Sequence, residues 1–253
     1  MFKNKTILIT GASRGLGASM AESFANQGAS VVLLARDLNK LESVRKKLKN
    51  SSKHLSISID LTDLTLIDST LKSLQKKIDG VDVIVHAAGG GLGFKNDFLD
   101  HSQLTKLFNL NLACAIEINR ILIPEMIEKK VGSILHIGSI ASFESAGSVG
   151  YNTVKAAISG YVRSIGRQLL KDNVILTGAL LGGFISEGNA MFRLKTKNPI
   201  AYKEFIENRL PRKKMGTVEE LIPALMLLCS HDSGMLGGCV FPMDAGEGKA
   251  YFT

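Results

Sequence analysis

Tyr151 and Lys155 stand four residues apart in Tyr151-Asn152-Thr153-Val154-Lys155, a spacing that puts a phenol and an ammonium on one helix face about one turn apart. A cation beside a phenol favours the phenolate. It lowers a tyrosine pKa from about 10 toward the working range, where the side chain can act as general acid or base. Alone, such a pair is usually two surface neighbours. Ser139, in Ile137-Gly138-Ser139-Ile140-Ala141-Ser142, supplies a context, because it lies just past an apolar strand-like run, on the edge where open α/β sheets bind ligands. Its hydroxyl can hydrogen-bond a substrate oxygen. Ser142 has the same chemistry and stays an alternative.

A second group of residues fits a dinucleotide. Thr10-Gly11-Ala12-Ser13-Arg14-Gly15-Leu16-Gly17 follows the first apolar run and opens a helix-period stretch, so its glycines fall where backbone must approach a pyrophosphate closely. The helix N-terminus adds free N–H groups and a positive dipole end. At the end of the second strand, where an acidic residue would accept from a ribose 2′-hydroxyl, Ala35 is followed by Arg36. Arg14 is expected to project toward the same pocket, so that two guanidinium groups bracket a 2′-phosphate, which predicts NADP(H) over NAD(H). Asp37 leaves an alternative, in which it takes the ribose and Arg36 turns to solvent. Asp60, in Asp60-Leu61-Thr62, is placed either to meet the adenine edge or to cap the next helix. Val85-His86-Ala87-Ala88-Gly89 ends a strand in small residues that leave room for a nucleotide.

The elements that must position these residues are legible as apolar runs at Thr6–Thr10, Ser30–Ala35, His54–Ile59, Val81–Ala87, Ser133–Ile137, Val174–Leu180 and Cys239–Met243. Most are continuous in Val, Ile and Leu, as strands buried on both faces are. Helix-period stretches lie between them at Leu16–Gln27, Leu38–Lys49, Asp63–Ile78, Leu104–Lys129, Tyr151–Lys171 and Val218–Cys229. The alternation predicts a doubly wound, seven-stranded parallel α/β sheet with helices on both faces, Rossmann-like, in a single domain spanning 1–253. Only Gly182 to Thr217 breaks the rhythm. It is too long for an ordinary connection, so a substrate loop or lid is expected at about 183–215.

Composition narrows the class. No run of eighteen apolar residues and no signal-peptide pattern is present, so a cytoplasmic protein without membrane attachment is expected. Cys114, Cys229 and Cys239 are widely separated, and His54, His86, His101, His136 and His231 show no ligand spacing, so no metal is expected. A net charge of +8 would suit nucleic acid, but no nucleic-acid module accompanies it.

With Ser139 and the Tyr151/Lys155 pair, the loop at 10–17 and the variant of an Asn-Asn-Ala-Gly motif at 86–89 resemble the short-chain dehydrogenase/reductase family, 3-oxoacyl-[acyl-carrier-protein] reductase-like, over almost the whole chain. The resemblance implies that Ser139 orients a carbonyl and Tyr151 transfers the proton. Lys155 would bind the nicotinamide ribose and lower the tyrosine pKa, and Asn111 would hold a relay water. It implies cofactor contacts from Gly11, Ser13, Arg14, Gly15, Leu16, Gly17, Arg36, Asp60, Leu61, Ala88, Gly89, Tyr151, Lys155, Gly183 and Ile185, and it implies a homotetramer. Three departures stand out. His86 and Ala87 replace two asparagines, Gly182-Gly183 lacks a Pro-Gly turn's proline, and Glu187 stands where a threonine often contacts the cofactor, with Ser186 a substitute.

The substrate is expected to be a small-molecule or carrier-linked carbonyl, such as a 3-oxoacyl thioester or a sugar ketone. Arg193, Lys195, Lys197, Lys203, Arg209, Arg212, Lys213 and Lys214 face only Glu204 and Glu207 between 190 and 215. They are either a solvated face covering Phe192, Tyr202, Phe205 and Ile206, or a recruiter of an anionic substrate. A non-catalytic NADP(H)-sensing protein is the alternative from another class, disfavoured by the intact Tyr151 and Lys155.

Overall fold

The computed structural model describes residues 1–250, so the last three positions of the expected 1–253 domain lie outside the described residues. The chain runs β1 (Thr6–Thr10), α1 (Gly15–Asn26), β2 (Ser30–Ala35), α2 (Leu38–Lys47), β3 (Leu55–Ser58), α3 (Thr65–Gln75) and β4 (Val83–His86). It continues through α4 (His101–Phe108), α5 (Cys114–Lys129), β5 (Gly132–Ser139), α6 (Val149–Leu169) and β6 (Val174–Leu181). The last part holds β7 (Phe184–Ile185), α7 (Ala190–Lys197), α8 (Pro199–Arg209), β8 (Gly216–Thr217), α9 (Val218–Leu228) and β9 (Val240–Met243).

Seven strands form one sheet in the order β3-β2-β1-β4-β5-β6-β9, every pairing parallel. The order reverses between β1 and β4, and the crevice at that switch point is where such sheets hold dinucleotides. Alternate residues of each strand feed two cores. Ile7, Ile9, Leu33, Val85 and Leu135 pack with Met20 and Phe24 of α1 and Leu225 of α9. Leu8, Leu34, Ile84, Ile134 and Leu176 pack with Leu71 of α3, Ile118 and Leu122 of α5, and Val162 of α6. Burial on both faces explains the unbroken aliphatic runs.

Two expectations change. The long helix anticipated over 104–129 begins at His101, and a five-residue π-helical turn, Asn109–Ala113, separates α4 from α5. This continuous stretch is long and apolar enough to cross a membrane by composition, and its buried residues spend that apolarity on the sheet. The expected lid loop at 183–215 instead carries two helices and a short β7–β8 ribbon. Neither α7 nor α8 buries a residue, so no apolar stripe announces them. Their caps do: Asn189 accepts from the Phe192 N–H, and Asn198, ahead of Pro199, accepts from the Ala201 N–H.

Candidate active site

The glycine loop is tight because the chain beside it leaves no room. Gly11 (φ +70°) would place a Cβ 2.8 Å from the Ala88 nitrogen, and Gly15 (φ +57°) would place one 2.6 Å from Ser186 Oγ. The hydroxyl of Ser186 is buried and has no hydrogen-bond partner among the described residues. An orphaned buried donor against the mouth of a glycine cradle is what a bound pyrophosphate or carboxamide would satisfy, so these residues fit a dinucleotide. Leu16 and Leu61 belong to the core, which leaves their backbone as the part able to face a ligand.

At the adenosine end, Asp37 caps α2 by accepting from the Lys40 N–H at 3.1 Å and pairs with Lys40 Nζ at 3.5 Å. Asp60 accepts from the Thr62 N–H and hydroxyl at 2.9 and 2.8 Å. That backbone bond, followed by the Thr62 hydroxyl and the Arg36 charge, outweighs burial and holds its carboxyl below the usual range. The two arginines expected to bracket a 2′-phosphate have different surroundings. The Arg14 guanidinium packs on Gly188, where a Cβ would fall 2.8 Å from it, whereas Arg36 stands in the field of Asp60.

Lys155 is buried, and its ammonium donates to the Ile137 carbonyl at 3.2 Å. Burial lowers its pKa to about 8, so it stays mostly cationic at neutral pH. The ammonium lies 5.6 Å from the centre of the Tyr151 ring. The expected lowering of the Tyr151 pKa is not what governs this structure. Burial pushes the phenol up, and the opposing influence is a hydrogen bond with Ser139. The ammonium is turned to a carbonyl, which leaves desolvation of the phenolate dominant.

The two serines differ in their partners. Ser142 donates to the Lys155 carbonyl at 2.8 Å and fastens α6, while the Ser139 hydroxyl accepts from the Ala141 N–H at 3.2 Å and meets Tyr151. Asn111, inside the π-helical turn, clamps Gly90: its Oδ1 accepts from the Gly90 N–H and its Nδ2 donates to the Gly90 carbonyl, both at 3.0 Å. A Cβ on Gly89 would lie 2.8 Å from Asn111 Oδ1 and 3.3 Å from Lys155 Nζ. Asn111, Gly89 and Lys155 are therefore one contiguous group, with Ser139 and Tyr151 at its open side.

The family model described as short chain dehydrogenase matches residues 5–196. The chain belongs to that family. Like other short-chain dehydrogenases it is an oxidoreductase. It is 25% identical to the 3-oxoacyl-[acyl-carrier-protein] reductase FabG of Aquifex aeolicus over 96% of this chain and 97% of the relative. L-sorbose reductase from Gluconobacter frateurii, solved with NADPH and L-sorbose, superposes with a TM-score of 0.89 at 25% identity, covering 99% and 98% of the two chains. A 3-oxoacyl (acyl-carrier-protein) reductase from Agrobacterium tumefaciens with NADP bound gives 0.88 at 25% identity over 97% and 95%.

The contacts among three side chains of this short-chain dehydrogenase escaped sequence reasoning, which had Arg209 only as one of the basic residues of 190–215. Glu144, Arg209 and Glu247 form an ionic group, with Arg209 Nε to Glu247 at 2.6 Å and Arg209 Nη2 to Glu144 at 3.5 Å. The only available signal was the polar tail after the last strand. Glu247 also accepts the Gly183 N–H, which the resemblance assigned to the cofactor. Much of the basic segment is likewise engaged. Arg212 and Lys214 pair with Glu220, Arg193 donates to the Gly188 carbonyl, and Lys195 lies 6.0 Å over the Tyr202 ring.

Proposed function

We propose that this chain is an NADP(H)-dependent carbonyl reductase or alcohol dehydrogenase in which Tyr151 passes the proton. The observation that carries this is the meeting of Ser139 and Tyr151 beside the buried Lys155 and Gly89. When bound, the nicotinamide supplies or takes the hydride. Ser139 holds the substrate oxygen, and a phenol kept protonated by burial donates to that oxygen as it becomes an alkoxide, which suits the reducing direction. Lys155 holds the ribose, and Asn111 fixes the Gly89-Gly90 backbone and the relay water beneath it. Arg36, with Asp37 committed to a cap, favours a 2′-phosphate. The L-sorbose reductase and 3-oxoacyl reductase relatives support a sugar ketone or a 3-oxoacyl thioester as substrate. Resemblance alone supports a homotetramer.

Tyr151→Phe tests the reading. Turnover of a ketone should fall by about 10²–10⁴-fold with NADPH affinity retained. Near-normal rates would overturn it, and ketone turnover by the wild type would exclude a purely sensory role.

A further inference from the structure

The tail after β9 folds back in a tight turn. Asp244 accepts from the Gly246 N–H at 3.0 Å, the Gly248 N–H at 2.9 Å and, through its carbonyl, the Glu247 N–H at 3.1 Å. This turn drives the Glu247 side chain inward until it is 4% exposed. A buried carboxylate costs several kcal/mol to desolvate and persists only where donors meet it. Here one oxygen takes the Gly183 N–H and the other the Arg209 guanidinium. The Gly183 carbonyl in turn accepts the Gly216 N–H at 3.2 Å. Arg209 ends α8, and its second partner, Glu144, sits in the loop that follows Ser139 and accepts the Ala250 N–H at 2.8 Å.

We propose that Glu247 is a positioning residue for the 182–186 turn and, through Arg209, the latch that holds α8 and the 140–148 loop together over the nicotinamide end of the site. This rests on the reading that residues 183–186 face the nicotinamide. It accounts for the missing proline. A Cβ at Gly182 would fall 2.6 Å from Asp244 Cβ and 2.8 Å from Glu247 Oε2, and one at Gly183 would fall 3.1 Å from Glu247 Oε2. The tail occupies the space that a larger residue would need, so rigidity that a proline ring would give comes from a carboxylate instead. Glu247 ties two of these segments directly, so removing it should loosen the 182–186 turn and α8, while Glu144 keeps its contacts to Arg209 and the Ala250 N–H.

The test uses the full chain and the variants Glu247→Ala, Glu247→Gln and Arg209→Met. Hydrogen exchange in the cofactor-free protein should show residues 182–186 and 199–209 losing protection in Glu247→Ala. In Glu247→Gln and Arg209→Met only 199–209 should loosen, because the amide of Gln still accepts from the Gly183 N–H. NADPH binding by Glu247→Ala should weaken about tenfold, while binding of 2′,5′-ADP, which lacks the nicotinamide half, stays unchanged. Wild-type exchange rates in all three variants, or equal weakening of NADPH and 2′,5′-ADP, would overturn the latch. A wild type that binds no NADPH would instead sink the functional reading and leave the exchange result to decide the latch.

Discussion

Two groups of polar side chains draw on β5 and α6, a lower one deep in the fold and an upper one at the carboxyl end of β5, and their fates differ. In the lower, His86 and His136 are register partners on β4 and β5 with rings 4.5 Å apart. Asn119 of α5 joins them, its Oδ1 2.8 Å from His86 Nε2 and its Nδ2 3.3 Å from His136 Nε2, and donates to the Tyr161 hydroxyl at 3.1 Å. In the upper group, Ser139 and Tyr151 are half-buried and open beside the buried Lys155. Burial alone therefore does not make a site. The lower histidines are sealed, and burial drives His86 to about 4 and His136 well below its usual value, so both stay neutral. The upper group keeps a cation and an accessible hydroxyl pair at the carboxyl edge of the strands.

The sharpest way to break this contrast is paired truncation. Ser139→Ala should cut kcat by about a hundredfold, the loss expected of one positioned hydrogen bond to a developing oxyanion, and cost about 1 kcal/mol of stability through the lost Ala141 N–H bond. Ser142→Ala, which removes a bond to the α6 backbone, should cost about 1 kcal/mol of stability and leave kcat within a few-fold. Equal kinetic losses would mean that the two hydroxyls share the role.

Asn119→Ala should do the opposite of Ser139→Ala. It strands both imidazoles and the Tyr161 hydroxyl, so denaturant melts should report a loss of about 2–4 kcal/mol, with the rate per folded molecule close to wild type. A normal melt with lost activity would merge the two layers into one site.

Acid should separate the layers as well. His86 has a folded pKa of about 4 against 6.5 when free, so the folded state binds fewer protons between those values. The stability that comes from keeping it neutral is present above 6.5 and is lost as pH falls toward 4, by about 3 kcal/mol at 1.4 kcal/mol per unit. His86 Nδ1 has no hydrogen-bond partner among the described residues to accept from an added proton. Thermal melts of the cofactor-free protein from pH 7 to pH 4 should therefore fall more steeply than those of His86→Asn. Parallel curves would show that the imidazole does not titrate as described.

The sheet was legible in the sequence because its five inner strands, β1, β2, β4, β5 and β6, are buried on both faces, and Thr6–Thr10 and Ser30–Ala35 fall where the aliphatic runs placed them. Ser139, Tyr151, Lys155 and Asn111 come together because each lies at the carboxyl edge of β4 or β5 or on a helix facing it. The helices at 190–209 were legible only as a solvated helical face, because none of their residues is fully buried, and their asparagine caps mark where each begins. The Glu144, Arg209 and Glu247 group was illegible for another reason: its members are 38 and more residues apart, and no local spacing encodes a contact that only the folded tail creates. The Tyr151 pKa was misjudged because sequence gives the distance to Lys155 along a helix but not the desolvation around the phenol.

The most direct test of the central claim is fluorescence titration of the wild-type protein with NADPH and, separately, NADH at fixed salt. The expected result is clearly tighter binding of NADPH, with Arg36→Asp losing that preference. Tighter binding of NADH would contradict the Arg36 assignment and return Asp37 to the ribose, and binding of neither would contradict the oxidoreductase site itself.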